Sequence, residues 1–210
     1  MPNTQGYEAN ASSYDAWFDE NPALYQAEID ALKRLLPSGK GIEIGAGSGR
    51  FTLPLDIRTG LEPADAMREI AINRGLNMVK GVAETLPFED NEFDFAVFVT
   101  STCFLDQPER AYQEAARVIS DQGAIVIAYL EKNSELGKLY EANKHNDPFF
   151  CDATFYGFND ISQFLKAAEF EIMESVQTVL PSSDKHAPTD ILPGHDQGTF
   201  VVVKAQKLKI

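Results

Sequence analysis

The sequence predicts an α/β fold: a doubly wound, seven-stranded, mostly parallel sheet with an antiparallel last strand and helices on both faces. Three observations predict it. Residues 93–99 (FDFAVFV) and 124–129 (AIVIAY) are apolar on both faces, as strands inside a covered parallel sheet must be. Strand patterns alternate with helical ones through residues 41–130, which reads as successive βαβ units. The last two strand patterns, 170–180 and 199–204, have no helical pattern between them, so they pair as antiparallel neighbours across the long loop 181–198.

The elements follow in order. Asn21-Pro22 reads as an N-cap with a first-turn proline, and Tyr25, Ile29, Leu32 and Leu36 then recur on one helical face until Pro37-Ser38-Gly39-Lys40-Gly41 breaks the pattern. Residues 41–44 form a short apolar strand that runs into Gly45-Ala46-Gly47-Ser48-Gly49, and residues 50–55 begin a helix that Pro54 cuts short. Residues 59–62 are a second strand. Pro63 opens a helix whose inward face is Met67, Ile70, Ala71 and the stem of Arg74, with Gly75 closing it. Residues 78–82 are the third strand and 93–99 the fourth. Residues 108–119 form a helix with Ala111, Ala115, Val118 and Ile119 inward; Asp121-Gln122-Gly123 is a turn into the fifth strand, 124–129. Residues 134–144 are helical, 145–158 are rich in aromatics (Phe149, Phe150, Phe155, Tyr156, Phe158), and Asn159 caps a helix through Ala168.

Composition narrows the function. The 210 residues suffice for one domain with a full core, and no apolar run approaches the roughly 18 residues that span a bilayer. The opening residues lack the basic start and apolar core of a signal peptide, so the expected compartment is the cytoplasm. A net charge of −14 repels phosphate backbones, so nucleic acid is not expected as a partner and a small molecule is. Cys103 and Cys151 make no disulfide framework, and no Cys/His spacing suggests a metal.

The chemistry concentrates in Gly41-Ile42-Glu43-Ile44-Gly45-Ala46-Gly47-Ser48-Gly49-Arg50-Phe51. A strand feeds a loop whose glycines permit positive φ and close approach of a ligand to the backbone. A dinucleotide loop would read GxGxxG and hold a pyrophosphate. Here the spacing is GxGxG, and Glu43, two residues ahead of Gly45, would repel a pyrophosphate. Glu43 suits a ligand with an ammonium and no phosphate, and Glu62, at the end of the second strand, suits ribose hydroxyls. S-adenosylmethionine meets both demands.

Residues 41–51 resemble motif I of the class I S-adenosylmethionine-dependent methyltransferases. Gly60-Leu61-Glu62-Pro63 with Met67 resembles their second motif. Gly81-Val82-Ala83-Glu84-Thr85-Leu86-Pro87-Phe88 with Phe93-Asp94 resembles a segment of the methyltransferase type 11 group, which includes the ubiquinone/menaquinone-biosynthesis enzymes. Ala115-Ala116-Arg117-Val118-Ile119 before Asp121-Gln122-Gly123 resembles the segment that leads into their fifth strand. The resemblance covers residues 14–130 well and implies a Rossmann-like methyltransferase domain over 1–210, with a cofactor-binding core at 41–130, an N-terminal lid segment at 1–20 and a substrate-covering insertion at 131–158. It implies that Glu43 and the loop Gly45, Ala46 and Gly47 hold the methionine part, that Glu62 binds the ribose, and that Pro63 and Met67 lie against adenine. Ala83 would meet the adenine edge through its backbone, Thr100 and Ser101 would floor the methyl group, and Tyr14 would close over it. The family usually has Asp or Asn where this chain has Val82; either Glu84 takes that role or adenine is held by backbone and apolar contacts.

Trp17, Phe18, Cys103, Phe155 and Tyr156 are the candidate acceptor-pocket residues. His145, His186 and His195 fall in loops, where a solvated histidine is the commoner outcome than a general base. No catalytic side chain stands out, since the sulfonium is already activated and positioning carries much of the rate. A non-catalytic S-adenosylmethionine-binding regulator and, on the same fold, a NAD-linked oxidoreductase are the rival readings.

Overall fold

The computed structural model describes residues 4–179 and 190–208. Its sheet has eight strands: β1 (Gly41–Ile44), β2 (Thr59–Leu61), β3 (Asn77–Val79), β4 (Phe93–Val99), β5 (Ile119–Leu130), β6 (Phe170–Thr178), β7 (Leu192–Pro193) and β8 (Phe200–Lys207). They lie in the order β3-β2-β1-β4-β5-β8-β6-β7. The first five in that order pair in parallel, and β8 inserts antiparallel between β5 and β6. Among the described residues six α-helices surround the sheet: α1 (Gln5–Glu20), α2 (Pro22–Leu35), α3 (Asp65–Asn73), α4 (Pro108–Val118), α5 (Glu135–Asn143) and α6 (Phe158–Ala167). No helix among the described residues is long and apolar enough to cross a membrane.

Alternation along the central strands divides the core. Ala96 and Phe98 of β4 and Ile125, Ile127 and Tyr129 of β5 pack with Ala111, Tyr112 and Ala115 of α4 and Ile161 and Leu165 of α6. Phe95, Val97, Val99, Val126 and Ala128 point the other way, onto Ile29, Leu32 and Leu35 of α2. Both faces are thus covered, which is why these strands read as continuous apolar runs.

The expected elements are present with local differences. The segment after the glycine loop is a string of turns rather than a helix. Pro54 has no N–H for the Arg50 carbonyl, and the Tyr25 hydroxyl donates to that carbonyl instead. The helix after β2 starts at Asp65 rather than Pro63, and it ends as expected: Gly75 (φ 86) donates to Ile72 O at 2.8 Å and Leu76 to Ala71 O at 3.2 Å. Asp121–Gly123 is no turn; β5 runs through it with a register shift between Phe93 and Phe95, because the Gln206 amide donates to Gln122 O (2.6 Å) and Gly123 O (2.8 Å) and ties the segment to β8. Gly157, not Asn159, caps α6, and the Asp160 carboxylate accepts from Gly157 N at 2.9 Å. Asn21 does not cap α2 with its side chain, which donates to Trp17 O at the end of α1. The eighth strand, β7, is two residues long and pairs with β6; the Gln177 amide donates to Pro193 O at 3.0 Å and accepts from Gln197 and Gly198 N at 2.7 Å.

The third glycine of the loop packs against α3. Gly49 has φ 81, and a Cβ there would run into the Leu76 methyl and come within 3.3 Å of Ala71 Cβ. Gly49→Ala is expected to cost about 2–4 kcal/mol in urea unfolding, the sum of a left-handed backbone and an overpacked contact. A change below about 0.5 kcal/mol, the range of ordinary surface substitutions, would show that the loop relaxes freely.

Candidate cofactor and active site

The strand order reverses between β1 and β4, and in an open α/β sheet that reversal leaves a crevice beyond the strand ends. A cavity enclosing about 730 Å³ of space, its open mouth included, fills the crevice. Gly45 and Gly47 after β1, Glu62 and Pro63 after β2, Val82, Ala83 and Glu84 after β3, and Thr100 and Ser101 after β4 line it, with Met67 of α3 and Tyr7 and Tyr14 of α1.

Backbone geometry sets these walls. Gly45 (φ 75) and Ala46 both donate to Leu61 O, at 2.8 and 3.0 Å, which folds the loop over the end of β2. A Cβ on Gly45 would sit 2.6 Å from Ser101 Cβ, so only glycine lets Ser101 close the floor; the Ser101 hydroxyl donates to Ile44 O at 2.9 Å. Thr100 holds φ 48, a conformation that β-branched residues rarely take, and its N–H donates to Ala128 O at 2.8 Å. The Glu62 carboxylate accepts from Gly47 N and from Ala64 N, both at 2.8 Å, and so joins the glycine loop to the approach to α3.

α1 roofs the cavity and is fastened at two places. The Asp15 carboxylate accepts from Ser48 Oγ (2.7 Å), from Arg50 Nε and Nη2 (2.9 Å each) and from Arg74 Nη2 (2.6 Å). Burial opposes its ionisation, but the hydrogen bonds from Arg74, Arg50 and Ser48 hold it well below the usual carboxylate range. Farther along, Glu8 accepts from Asp65 N (2.5 Å) and Ala66 N (2.9 Å) at the start of α3. Between these ties α1 kinks at Asn10 (φ −127, ψ 22).

Comparison with known proteins gives this crevice a family. Residues 42–127 match the family described as "Methyltransferase domain". A crystal structure from Thermotoga maritima, described as an S-adenosylmethionine-dependent methyltransferase and possible histamine N-methyltransferase, superposes with a TM-score of 0.94 at 37% identity, covering 98% of this chain and 100% of that one. The chain belongs to the class I S-adenosylmethionine-dependent methyltransferases. An uncharacterized protein of Methanocaldococcus jannaschii is 38% identical over 202 residues, 96% of this chain and 98% of that protein. The malonyl-[acyl-carrier protein] O-methyltransferase of Geobacter sulfurreducens is 30% identical over 161 residues, 68% of this chain and 58% of that enzyme. The family and fold imply S-adenosylmethionine as the cofactor of this methyltransferase.

Of the residues singled out in the sequence, Tyr14, Gly45, Gly47, Glu62, Pro63, Met67, Ala83, Glu84, Thr100 and Ser101 all line the crevice. Glu43 and Ala46 do not. Glu43 lies behind the loop, 1% exposed, where it accepts from the Thr52 hydroxyl at 2.5 Å; Ala46 turns its methyl toward Gly60. Glu84 reaches the crevice, yet its Oε1 accepts from Asp106 N (3.0 Å) and Gln107 N (3.2 Å) at the entrance of α4. Cys103, Phe155 and Tyr156 converge with Thr100, Thr102, Tyr129 and Leu130 on a second, smaller chamber that shares Thr100 with the first. Trp17 and Phe18 are in neither: the Trp17 ring is 38% exposed, and Phe18 is packed between Tyr14, Tyr25 and Phe51. Helix periodicity turns Tyr14 and Phe18 to the core side of α1 and leaves Trp17 outside.

Burial pushes the Cys103 thiol up to about 12 and it donates to Thr100 O at 3.2 Å, both of which disfavour the thiolate that a nucleophile needs. Neither His145 nor His195 lines the crevice, and His186 lies outside the described residues. No cluster able to hold a metal occurs among the described residues. Sequence reasoning missed Tyr7, Phe104 and Leu105 as lining residues, Glu8, Asp15 and Arg50 as fasteners of α1, and a buried carboxyl at Glu28 of α2. An apolar-face pattern broken by an acidic residue between Tyr25 and Leu32 was the one signal available for Glu28.

Burial pushes Glu28 and Glu43 up to about 8 and Glu62 up to about 7. Each therefore binds its proton more tightly folded than unfolded, so its stabilising contribution is complete below the unfolded value of 4.5 and is lost as pH rises through 7 to 8. Asp15, shifted downward, contributes its full stability across that same window. The thermal midpoint without ligand is expected to fall from about pH 6 to about pH 8.5, and Glu43→Gln to flatten the slope, with roughly 2–4 °C for each kcal/mol involved. Scanning calorimetry across the range decides; a midpoint that climbs with pH would contradict the raised values.

Proposed function

We propose that this methyltransferase moves a methyl group from S-adenosylmethionine to a small-molecule acceptor by in-line displacement. The observation that carries the reading is the crevice at the strand-order reversal, with the glycine loop, Glu62 and Met67 on its walls and Tyr7 and Tyr14 over it. The residues fit the cofactor. Glu62 is a buried carboxylate whose two bonds come from backbone N–H groups, leaving lone pairs for ribose hydroxyls. Gly47 offers bare backbone: a Cβ there would meet Met67 Cε at 3.2 Å and narrow the slot. Pro63, Met67 and Leu105 give adenine apolar walls, and Ala83 gives its edge a backbone partner. When bound, S-adenosylmethionine supplies a methyl on a cationic sulfur, which an acceptor lone pair takes as the carbon–sulfur bond breaks and leaves S-adenosylhomocysteine.

The chain's own contribution is to bind, orient and exclude water. Tyr7 and Tyr14 close over the cavity as the lid, and their rings meet edge to face with centroids 5.5 Å apart. Thr100 lines both the crevice and a small space behind it bounded by Cys103, Phe155 and Tyr156. Positioning of this kind supplies much of the rate of a displacement at an already activated carbon. The description of the Thermotoga maritima protein supports a small-molecule acceptor, as does the net charge of −14, which disfavours nucleic acid.

Calorimetry with S-adenosylmethionine, S-adenosylhomocysteine and NAD tests the reading. Micromolar binding of the first two is expected, with Glu62→Ala weakening both on the order of 10–100-fold through loss of charge-assisted hydrogen bonds. Binding of NAD alone, or of none of them, would overturn it.

A further inference from the structure

The walls of the crevice follow the order of the strands. Thr100 and Ser101 stand at the end of β4, Gly45 and Gly47 at β1, Glu62 and Pro63 at β2, and Val82, Ala83 and Glu84 beyond β3. The methyl-transfer reading puts the methionine part at the glycine loop and the ribose at Glu62, which leaves the base for the end of β3.

Among the described residues Glu62 and Glu84 are the acidic groups on these walls. Glu62 accepts one backbone N–H on each oxygen. Glu84 is held differently. Its Oε1 takes two N–H groups, from Asp106 at 3.0 Å and Gln107 at 3.2 Å, where α4 begins. Arg110 Nε donates to the Glu84 carbonyl at 3.3 Å, so the backbone is held as well. Glu84 Oε2 has no donor among the described residues. A carboxylate fixed through one oxygen presents the other as an acceptor in a set place.

Beside it Ala83 is 5% exposed, and its backbone N–H has no acceptor among the described residues. A buried N–H on the wall of a cavity is a donor reserved for what fills it. Val82, Leu61, Pro63 and Leu105 are apolar and line the same crevice. A free donor next to a free acceptor matches one edge of adenine, where ring N1 accepts and the 6-amino group donates. A 6-oxopurine has the opposite polarity along that edge, with N1–H donating and the oxygen accepting.

We propose that Glu84 selects the base of the cofactor, accepting the 6-amino group on Oε2 while Oε1 holds the start of α4. The proposal rests on the methyl-transfer reading and adds to it the side chain that tells adenine from other purines. Through Oε1 the same residue ties the end of β3 to the segment that carries Phe104 and Leu105, which also line the crevice.

Calorimetry tests it with S-adenosylhomocysteine and two analogues. One is S-inosylhomocysteine, with a 6-oxo base; the other carries hydrogen in place of the 6-amino group. Wild type is expected to bind S-adenosylhomocysteine on the order of 10–100-fold more tightly than either analogue. Glu84→Gln is expected to lose that preference and to bind the 6-oxo analogue more tightly than wild type does. Its amide oxygen still takes Asp106 N and Gln107 N, and its amide NH2 then meets the base as a donor. A wild type that binds the 6-hydrogen analogue as tightly as S-adenosylhomocysteine overturns the selection and leaves the methyl-transfer reading standing. A Glu84→Gln variant that weakens all three ligands alike also overturns it, since Glu84 would then only cap α4. Wild type that binds none of the three overturns the methyl-transfer reading and the selection together.

Discussion

The Glu62 carboxylate ties the site together. Its oxygens take the N–H groups of Gly47 and Ala64, so one side chain at the end of β2 sets both the curl of the glycine loop and the entry to α3. The loop's other fixed points follow from that curl: Gly45 and Ala46 bond to Leu61 O, Ser101 closes against Gly45, and Gly49 packs on Leu76. In the folded crevice this carboxyl is 7% exposed, which makes each of its hydrogen bonds stronger and its desolvation dearer.

That cost recurs through the molecule. Glu28, Glu43 and Glu62 are all held in surroundings that favour their neutral forms. A fold selected for stability alone would place apolar residues there, as it does elsewhere on the inner faces of α2 and β1. Of the three only Glu62 lines the crevice, where its free lone pairs suit a hydroxyl-rich ligand.

The roof is built by a different interaction. α1 buries Ala11 and Phe18 and packs Tyr7 and Tyr14 against Ala64 and Met67. Charge pairs add to that packing: Asp15 and Asp19 hold Arg50, Asp15 holds Arg74, and Glu8 receives the free N–H groups at the start of α3. The arginines come from the glycine turn and α3, the walls of the cofactor cavity, so the cavity and its roof are joined by the same residues.

Much of this was legible in the chain. The doubly apolar runs at β4 and β5 announced a covered parallel sheet, and the GxGxG loop with Glu62 marked the cofactor crevice, because local geometry and local chemistry are written in adjacent residues. The role expected of Glu43 was not legible: strand alternation sends its side chain behind the loop, where Thr52 engages it. The 121–123 segment reads locally as a turn, but the Gln206 amide, far away in sequence, straightens it into β5. The helix expected after Gly49 fails for want of one N–H at Pro54. Trp17 and Phe18 were recognised as aromatic, but which of α1's faces looked inward depended on where Arg50 and Arg74 would stand. The sequence by itself determined the central strands, the family and the cofactor chemistry, since each rests on neighbouring residues. Only the tertiary structure decided which acidic side chains are buried and what meets them, which aromatics lie over the crevice and what fastens the roof, since those depend on groups brought together from distant strands and helices.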